Sequence, residues 1–224
     1  MGFTFQSGLS SLWRILSALY GHRGAVTCLA ASASYGVVVS GSADRSGIIW
    51  DLHRLTRLAR LPAHPACLSA VAVSDSTGDI ACCAGTALYI WNISGKPLAK
   101  LDSACGSGST LSCCCFLTVA DWDVHGLIAT GDTGGHVQVW KLGTASPQRL
   151  DGSSDSQESL AKKAGGREEP PLLLRRELER SSAACPWNRP GRAAALTTLA
   201  VSRNSSRLLA GDENGRLFCW SMDE

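Results

Sequence analysis

No stretch of the 224 residues approaches the ~18 consecutive apolar positions that a membrane-crossing helix needs. Charge is sparse as well. Asp, Glu, Lys and Arg make up 18% of the chain, and 21 basic residues stand against 19 acidic ones for a net of +2. Binding to nucleic acid favours a concentrated basic face, so nucleic acid is set aside as a partner. Aromatic residues are only 6%. The ten cysteines include no Cys-x-x-Cys pair, the usual unit of a structural zinc site, and no metal is expected. Ser94-Gly95-Lys96-Pro97 lacks the preceding glycine of a phosphate-cradling loop, and no Gly-x-Ser-x-Gly elbow occurs. Neither a cofactor nor an enzymatic activity is implied. At 45% hydrophobic residues the chain is also too apolar to be disordered.

The cysteines read as packing residues. Cys82-Cys83 and Cys113-Cys114-Cys115 are runs within apolar segments, and neighbours on a strand point to opposite faces. Free cysteine is commonly a small buried hydrophobe. The N-terminus supplies no address: Gln6 stands where a myristoylation signal needs Ser or Thr, and Arg14 interrupts the apolar stretch of any secretory signal. A cytosolic chain with reduced thiols follows as the expectation, and the sequons at Asn92 and Asn204 then carry no sugar.

Four segments end in a short alternating strand closed by tryptophan, at Trp50, Trp91, Trp140 and Trp220. A small residue and a glycine lie ten and nine positions before three of them, as Ser40-Gly41, Thr130-Gly131 and Ala210-Gly211. Two further β-rich runs precede each pair: Val26–Ala30 and Val37–Val39, Leu111–Leu117 and Leu127–Ala129, Leu196–Val201 and Leu208–Leu209. Strand, turn, strand, tight turn, strand therefore recurs along the chain, and self-similarity at a fixed period is the mark of a repeat architecture.

The first unit is the most complete: Gly21-His22, then Ser40, then Asp44, then Trp50-Asp51. In this pattern it resembles the WD40 repeat, one four-stranded blade of a β-propeller. The resemblance implies that His22, Ser40, Asp44 and Trp50 form a hydrogen-bonded tetrad tying the blade together. That role suits their chemistry, because a buried indole N–H needs an acceptor and an imidazole can bridge a carboxylate to a hydroxyl. The same His-Ser-Asp set could be read as catalytic; repeated blades use it as a brace, and that structural reading is preferred. The other units drift. The second has Ala63-His64 and no acidic residue in Ala84-Gly85-Thr86-Ala87, the third has Gly134 where Asp44 would align, and the fourth has Asn214 in an Asn-Gly hairpin turn.

Spacing locates an insertion. The tryptophans are separated by 41, 49 and 80 residues, against a blade of ~40–45, so the last interval holds one blade and an excess. Residues 143–170 are polar and read as a flexible loop. Residues 171–180 suit either a helix starting at Pro171 or an outer strand completing the third blade, and place in the repeat favours the strand. Trp13–Tyr20 fits the outer strand of a blade whose front is missing, with a short amphipathic helix as the alternative. The expected organisation is an N-terminal tail at 1–11, a partial blade and three repeats at 12–142, the insertion at 143–170, and the outer strand with the last repeat at 171–224. The fold is all-β: about four recognisable blades plus a partial one, in an incomplete ring. A ring left open exposes the flanks of its terminal blades, so the chain is expected to be a fragment or short form, marginal on its own.

Longer strings narrow the resemblance. Leu19-Tyr20-Gly21-His22, Val39-Ser40-Gly41-Ser42-Ala43-Asp44-Arg45, Gly78-Asp79-Ile80-Ala81-Cys82-Cys83 and Gly215-Arg216-Leu217-Phe218 are similar to the C-terminal propeller of BEACH-domain proteins, in the WD repeat- and FYVE-domain-containing subfamily. That resemblance implies a non-catalytic scaffold for other proteins in endosomal and autophagic trafficking, cytoplasmic, and joined to membranes only through its partners. The turns near Arg23, Arg45, His136 and Arg216 form the candidate docking face, since binding residues gather on loops held by a rigid frame. The alternative is a propeller that binds phosphoinositides or a membrane surface directly, with the insertion or the Arg175-Arg176 pair as its contact.

Overall fold

Apolar residues alternating with period two, broken by Gly, Asp and Asn turns, leave strands of five to seven residues as the regular elements of the chain. The computed structural model describes residues 16–103, 108–117, 127–142, 173–178, 194–202 and 206–221. Fifteen strands appear among them, in four antiparallel sheets. The first sheet is a meander of β1 (Val26–Ser32), β2 (Val37–Ser42), β3 (Gly47–Asp51) and β4 (Thr56–Arg60). The second repeats it with β5 (Leu68–Val73), β6 (Ile80–Ala84), β7 (Ala87–Trp91) and β8 (Pro97–Asp102). In the third, β9 (Leu111–Leu117), β10 (Leu127–Asp132) and β11 (Val137–Leu142) are completed by β12 (Leu173–Leu178). The fourth holds β13 (Leu196–Val201), β14 (Arg207–Asp212) and β15 (Leu217–Ser221). Among the described residues no helix is long and apolar enough to cross a membrane.

Within the ambiguous segment at 171–180, the described residues Leu173–Leu178 form a strand. β12 pairs with β11 from Val137 opposite Leu178 to Leu142 opposite Leu173. Good helix formers yield here because the outer edge of β11 presents unpaired backbone groups, and a strand satisfies them along its whole length. The opposite holds at the other end. Residues 16–20 carry no strand, residues 13–15 lie outside the described part, and Tyr20 is 88% exposed. The polar insertion at 143–170 also lies outside the described residues.

The core is distributed between neighbouring sheets. Val39, Ile49, Leu61, Leu68, Ile80 and Trp91 pack the first against the second. Ala81, Cys83, Leu88, Ile90, Ile128 and Trp140 join the second to the third, and Cys113, Ala129, Val137, Leu196 and Leu208 join the third to the fourth. The terminal flanks are bare: Leu29 on β1 is 66% exposed and Leu217 on β15 is 65%. The four sheets are blades that do not close into a ring.

A bulge at the same place in each inner strand fixes how one blade meets the next. Thr27, Ser69, Ser112 and Thr197 each fall between two paired neighbours and oppose no residue themselves. Each carries a hydroxyl. Thr27 Oγ1 donates to the Leu68 carbonyl at 2.6 Å, Ser69 Oγ to the Leu111 carbonyl at 2.7 Å, and Ser112 Oγ to the Leu196 carbonyl at 2.6 Å. Every acceptor belongs to the inner strand of the following blade. The glycine after the small residue has a related cause: a Cβ on Gly41 would lie 2.5 Å from Cys28 Sγ and 3.0 Å from Leu68 Cβ of the next blade.

Candidate functional site

The hairpin between β2 and β3 places the acidic residue of the first blade. Asp44 Oδ1 accepts from the Ser46 amide at 2.9 Å and the Ser46 hydroxyl at 2.6 Å, and Oδ2 accepts from the Arg23 amide at 2.7 Å. The carboxylate thus fastens its own turn to the chain entering the blade. His22 follows, with Nδ1 3.4 Å from Asp44 Oδ2 and Nε2 2.7 Å from Ser40 Oγ. Trp50 Nε1 donates to the same Ser40 oxygen at 2.8 Å. The structure therefore brings His22, Ser40, Asp44 and Trp50 into one chain of hydrogen bonds. Ser40 is 3% exposed and its oxygen already accepts the indole proton. A hydroxyl so enclosed offers a substrate no approach.

Electrostatics favour the ionised carboxylate. Burial acts to raise the Asp44 carboxyl, but the bonds from Ser46 and Arg23, together with the His22 ring, hold it well below the usual carboxylate range. Sequence reasoning missed Arg60. Its guanidinium, on β4, lies 3.6 Å from Asp44 Oδ2 and donates to Ser46 Oγ at 3.2 Å. The available signal was a basic residue on an outer strand, indistinct from any solvated charge.

The third and fourth blades keep a carboxylate but move it. Asp132 and Asp212 stand two places before the positions of Gly134 and Asn214, at the first residue of the turn rather than the third. Asp132 Oδ1 accepts from the His136 amide at 2.8 Å, and Asp212 Oδ1 accepts from the Arg216 amide at 2.9 Å and the Asn214 amide at 3.0 Å. Their side-chain contacts are local too, His136 Nδ1 to Asp132 Oδ2 at 3.2 Å and the Arg216 Nε–Asp212 ion pair at 2.7 Å. Burial works against the Asp212 charge, and the Arg216 bonds overcome it, leaving that carboxyl below its ordinary value. Trp140 Nε1 still donates to Thr130 Oγ1, at 2.9 Å. Trp220 of the fourth blade pairs with Leu208 in register, but Ala210 offers it no hydroxyl.

Of the four candidate docking residues, Arg45, His136 and Arg216 lie on equivalent hairpin turns, and Arg23 lies on the segment entering β1, its amide donating to Asp44. Arg23 and Arg45 are exposed beside Asp44, and Arg45 holds a left-handed backbone at φ 68°. His136 is exposed on the β10–β11 turn, and Arg216 on the β14–β15 turn is half-buried against the Phe218 ring. Gly85-Thr86, the equivalent turn of the second blade, is uncharged.

The described cysteines are free thiols, and Cys82 and Cys83 are fully buried. Burial pushes the Cys113 thiol up to about 11 and the Cys115 thiol up to about 12, far from reactive thiolates.

Residues 13–51 match the family described as "WD domain, G-beta repeat". Over 94% of its length the chain is 44% identical to WD repeat- and FYVE domain-containing protein 4 of Mus musculus, of which it spans 7%. It is 26% identical over 98% of its length to BEACH domain-containing protein A2 of Arabidopsis thaliana, spanning 6% of it. Lysosomal-trafficking regulator of Homo sapiens is 29% identical over 58% of the chain, which covers 4% of that protein. The β-propeller domain of Cps50 (Swd1) from Myceliophteria thermophila superposes with a TM-score of 0.60 at 16% identity, covering 90% of this chain and 52% of that one. The computationally designed Ika4 protein gives 0.58 at 20% identity, over 95% of this chain and all of that one.

Proposed function

From the premise that this chain is a WD40-repeat segment of a β-propeller, related to the BEACH-domain proteins, we propose that it is a non-catalytic platform docking other proteins in endosomal and autophagic membrane traffic. One observation carries the proposal: equivalent turns of three blades are each pinned by a carboxylate, half-buried Asp44 or buried Asp132 and Asp212, and these turns, with the segment entering the first blade, present Arg23, Arg45, His136 and Arg216. Loops held this firmly lose little further freedom on binding, which favours docking of another protein. Arg216 is already matched by the Asp212 carboxylate and His136 lies against Asp132, so Arg23 and Arg45 supply the positive charge that suits an acidic segment of a partner. The trafficking context is supported by the relatives, one of which is named a lysosomal-trafficking regulator.

The test reverses both charges. Arg23→Glu with Arg45→Glu leaves the Arg23 amide free to hold Asp44, and exposed substitutions of this kind change stability by roughly 0.5 kcal/mol or less. Proteins that co-purify with the chain from cytosol should be lost while the melting temperature holds. An unchanged set of bound proteins would exclude the turn face as the docking surface.

A further inference from the structure

The contact between consecutive blades is made three times in the chain, and each terminal flank carries half of it. The bulge hydroxyls of Thr27, Ser69 and Ser112 each lie near two carbonyl oxygens. One is in the same sheet, on Gly41 at 3.2 Å, Cys83 at 3.3 Å or Gly131 at 3.1 Å. The nearer one is in the following blade, on Leu68, Leu111 or Leu196. Thr197 of the fourth blade keeps the contact within its sheet, to the Gly211 carbonyl at 3.2 Å, and has no second acceptor among the described residues. At the other flank Val26 precedes the bulge of β1 as Leu68, Leu111 and Leu196 precede theirs. Its carbonyl receives no hydroxyl among the described residues.

The apolar side chains are divided in the same way. Leu68, Leu111 and Leu196 are only 1%, 2% and 1% exposed, each packed where its blade meets a neighbour, whereas Val26 is 52% exposed. Val137, opposite Gly131, is fully buried in one cluster with Leu196. Its counterpart Leu217, opposite Gly211, is bare. A Cβ on Gly41 would lie 3.0 Å from Leu68 Cβ, and one on Gly131 would lie 3.2 Å from Leu196 Cβ. On Gly211 it would meet only Thr197 and Thr198 of its own blade.

The two flanks are thus complementary halves of one joint. The fourth blade offers a hydroxyl donor, a close-approach glycine and Leu217; the first offers a carbonyl acceptor and Val26. An occupant of both flanks must carry both halves, and this chain does. Its size is also suitable, since it covers 52% of the Cps50 propeller domain. Two copies of a four-sheet chain supply eight blades, within the range of about four to eight that propellers adopt.

We propose that two copies of this chain join head to tail and close an eight-bladed ring, the Val26 flank of each against the Leu217 flank of the other. Thr197 then donates to the Val26 carbonyl of the partner subunit, as Ser112 donates to Leu196 within one chain. Contact between unlike surfaces makes a closed ring when the rotation completes a turn, and closure leaves no flank open. The joints do not depend on what the turn face docks.

The test is sedimentation equilibrium of the full chain at micromolar concentration. The mass should be twice the 23.6 kDa of one chain. Val26→Glu and Leu217→Lys each place a charge at an exposed position, so the blades should still fold. In a homodimer that charge enters both joints, and each variant should sediment as a single chain. An equimolar mixture should restore the double mass, because one joint is then wild type and the other sets opposite charges together. Thr197→Val should raise the dissociation constant about thirtyfold, since each dimer loses two hydrogen bonds. A wild-type chain of single mass would overturn the proposal and leave the flanks to blades of another polypeptide or of a longer one. An open series of larger species would overturn ring closure. A dimer that survives either charged variant would overturn the head-to-tail joint, as would a mixture that stays monomeric. An unchanged constant in Thr197→Val would overturn it too, and that measurement stands with the wild-type mass even where a charged variant fails to fold.

Discussion

The first and second blades are built to one plan and differ at a handful of atoms. Both have an entering histidine, a central hairpin and a closing tryptophan. In the first, a hydroxyl on Ser40 joins imidazole to indole, and a carboxylate on Asp44 joins imidazole to the turn. In the second, a thiol replaces the hydroxyl, the hairpin is one residue shorter, and no carboxylate remains. His64 turns instead to the Arg45 carbonyl of the preceding blade, and its far nitrogen is left unmet beside an unmet indole. Packing is nevertheless retained: Ile80, Cys82, Cys83, Leu88 and Ile90 are all fully buried. The hydrophobic frame of a blade is therefore independent of its polar brace. The brace decides how firmly the turn is held and whether buried polar atoms are satisfied.

The largest effect should come from making the first blade resemble the second. Ser40→Ala leaves His22 Nε2 and Trp50 Nε1 buried without a partner, and two such groups cost about 2–4 kcal/mol together. Chemical denaturation of the variant should show a lower midpoint with an unchanged slope, and a loss well below 1 kcal/mol would break the comparison. Asp44→Asn comes next, at about 1–3 kcal/mol, and its signature is the dependence on pH. Because folding holds the Asp44 carboxyl below its ordinary value, the stability it supplies is complete above about pH 4–5 and is lost as the pH falls towards the lower folded value. The wild type should converge on the Asp44→Asn variant in acid, and parallel melting curves down to pH 2 would refute that role. The smallest effect, about 1 kcal/mol, is expected for Ser112→Ala, which removes the bond from the third blade to the Leu196 carbonyl of the fourth. Hydrogen exchange should rise mainly in β13, sharpening the distinction between bonds that brace one blade and bonds that join two.

Much of the frame was readable without coordinates. The alternating runs ending in Trp50, Trp91, Trp140 and Trp220 are local patterns, and each became the third strand of a sheet. Ser40 and Asp44 were legible because the first unit keeps the whole repeat pattern. The carboxylates of the third and fourth blades were not. Asp132 and Asp212 sit two places away from the aligned position, and only the fold of the hairpin shows that they reach the same turn amides. The bulged hydroxyls were equally hidden, since Val26-Thr27, Leu68-Ser69, Leu111-Ser112 and Leu196-Thr197 look like ordinary strand dipeptides. The first three find their inter-blade partners 41, 42 and 84 residues away.

Sequence alone therefore determined the tryptophan-closed strands, their order, and the all-β repeat, because apolar alternation and turn chemistry act between residues a few places apart. Tertiary structure decided that 173–178 pairs as an outer strand, that thiol and hydroxyl divide two otherwise equivalent blades, and that three hydroxyls stitch each blade to its successor. These are matters of what a group meets rather than what it is. A backbone edge, an indole N–H or a carbonyl oxygen acquires its partner only when distant parts of the chain are brought within about 3 Å of each other.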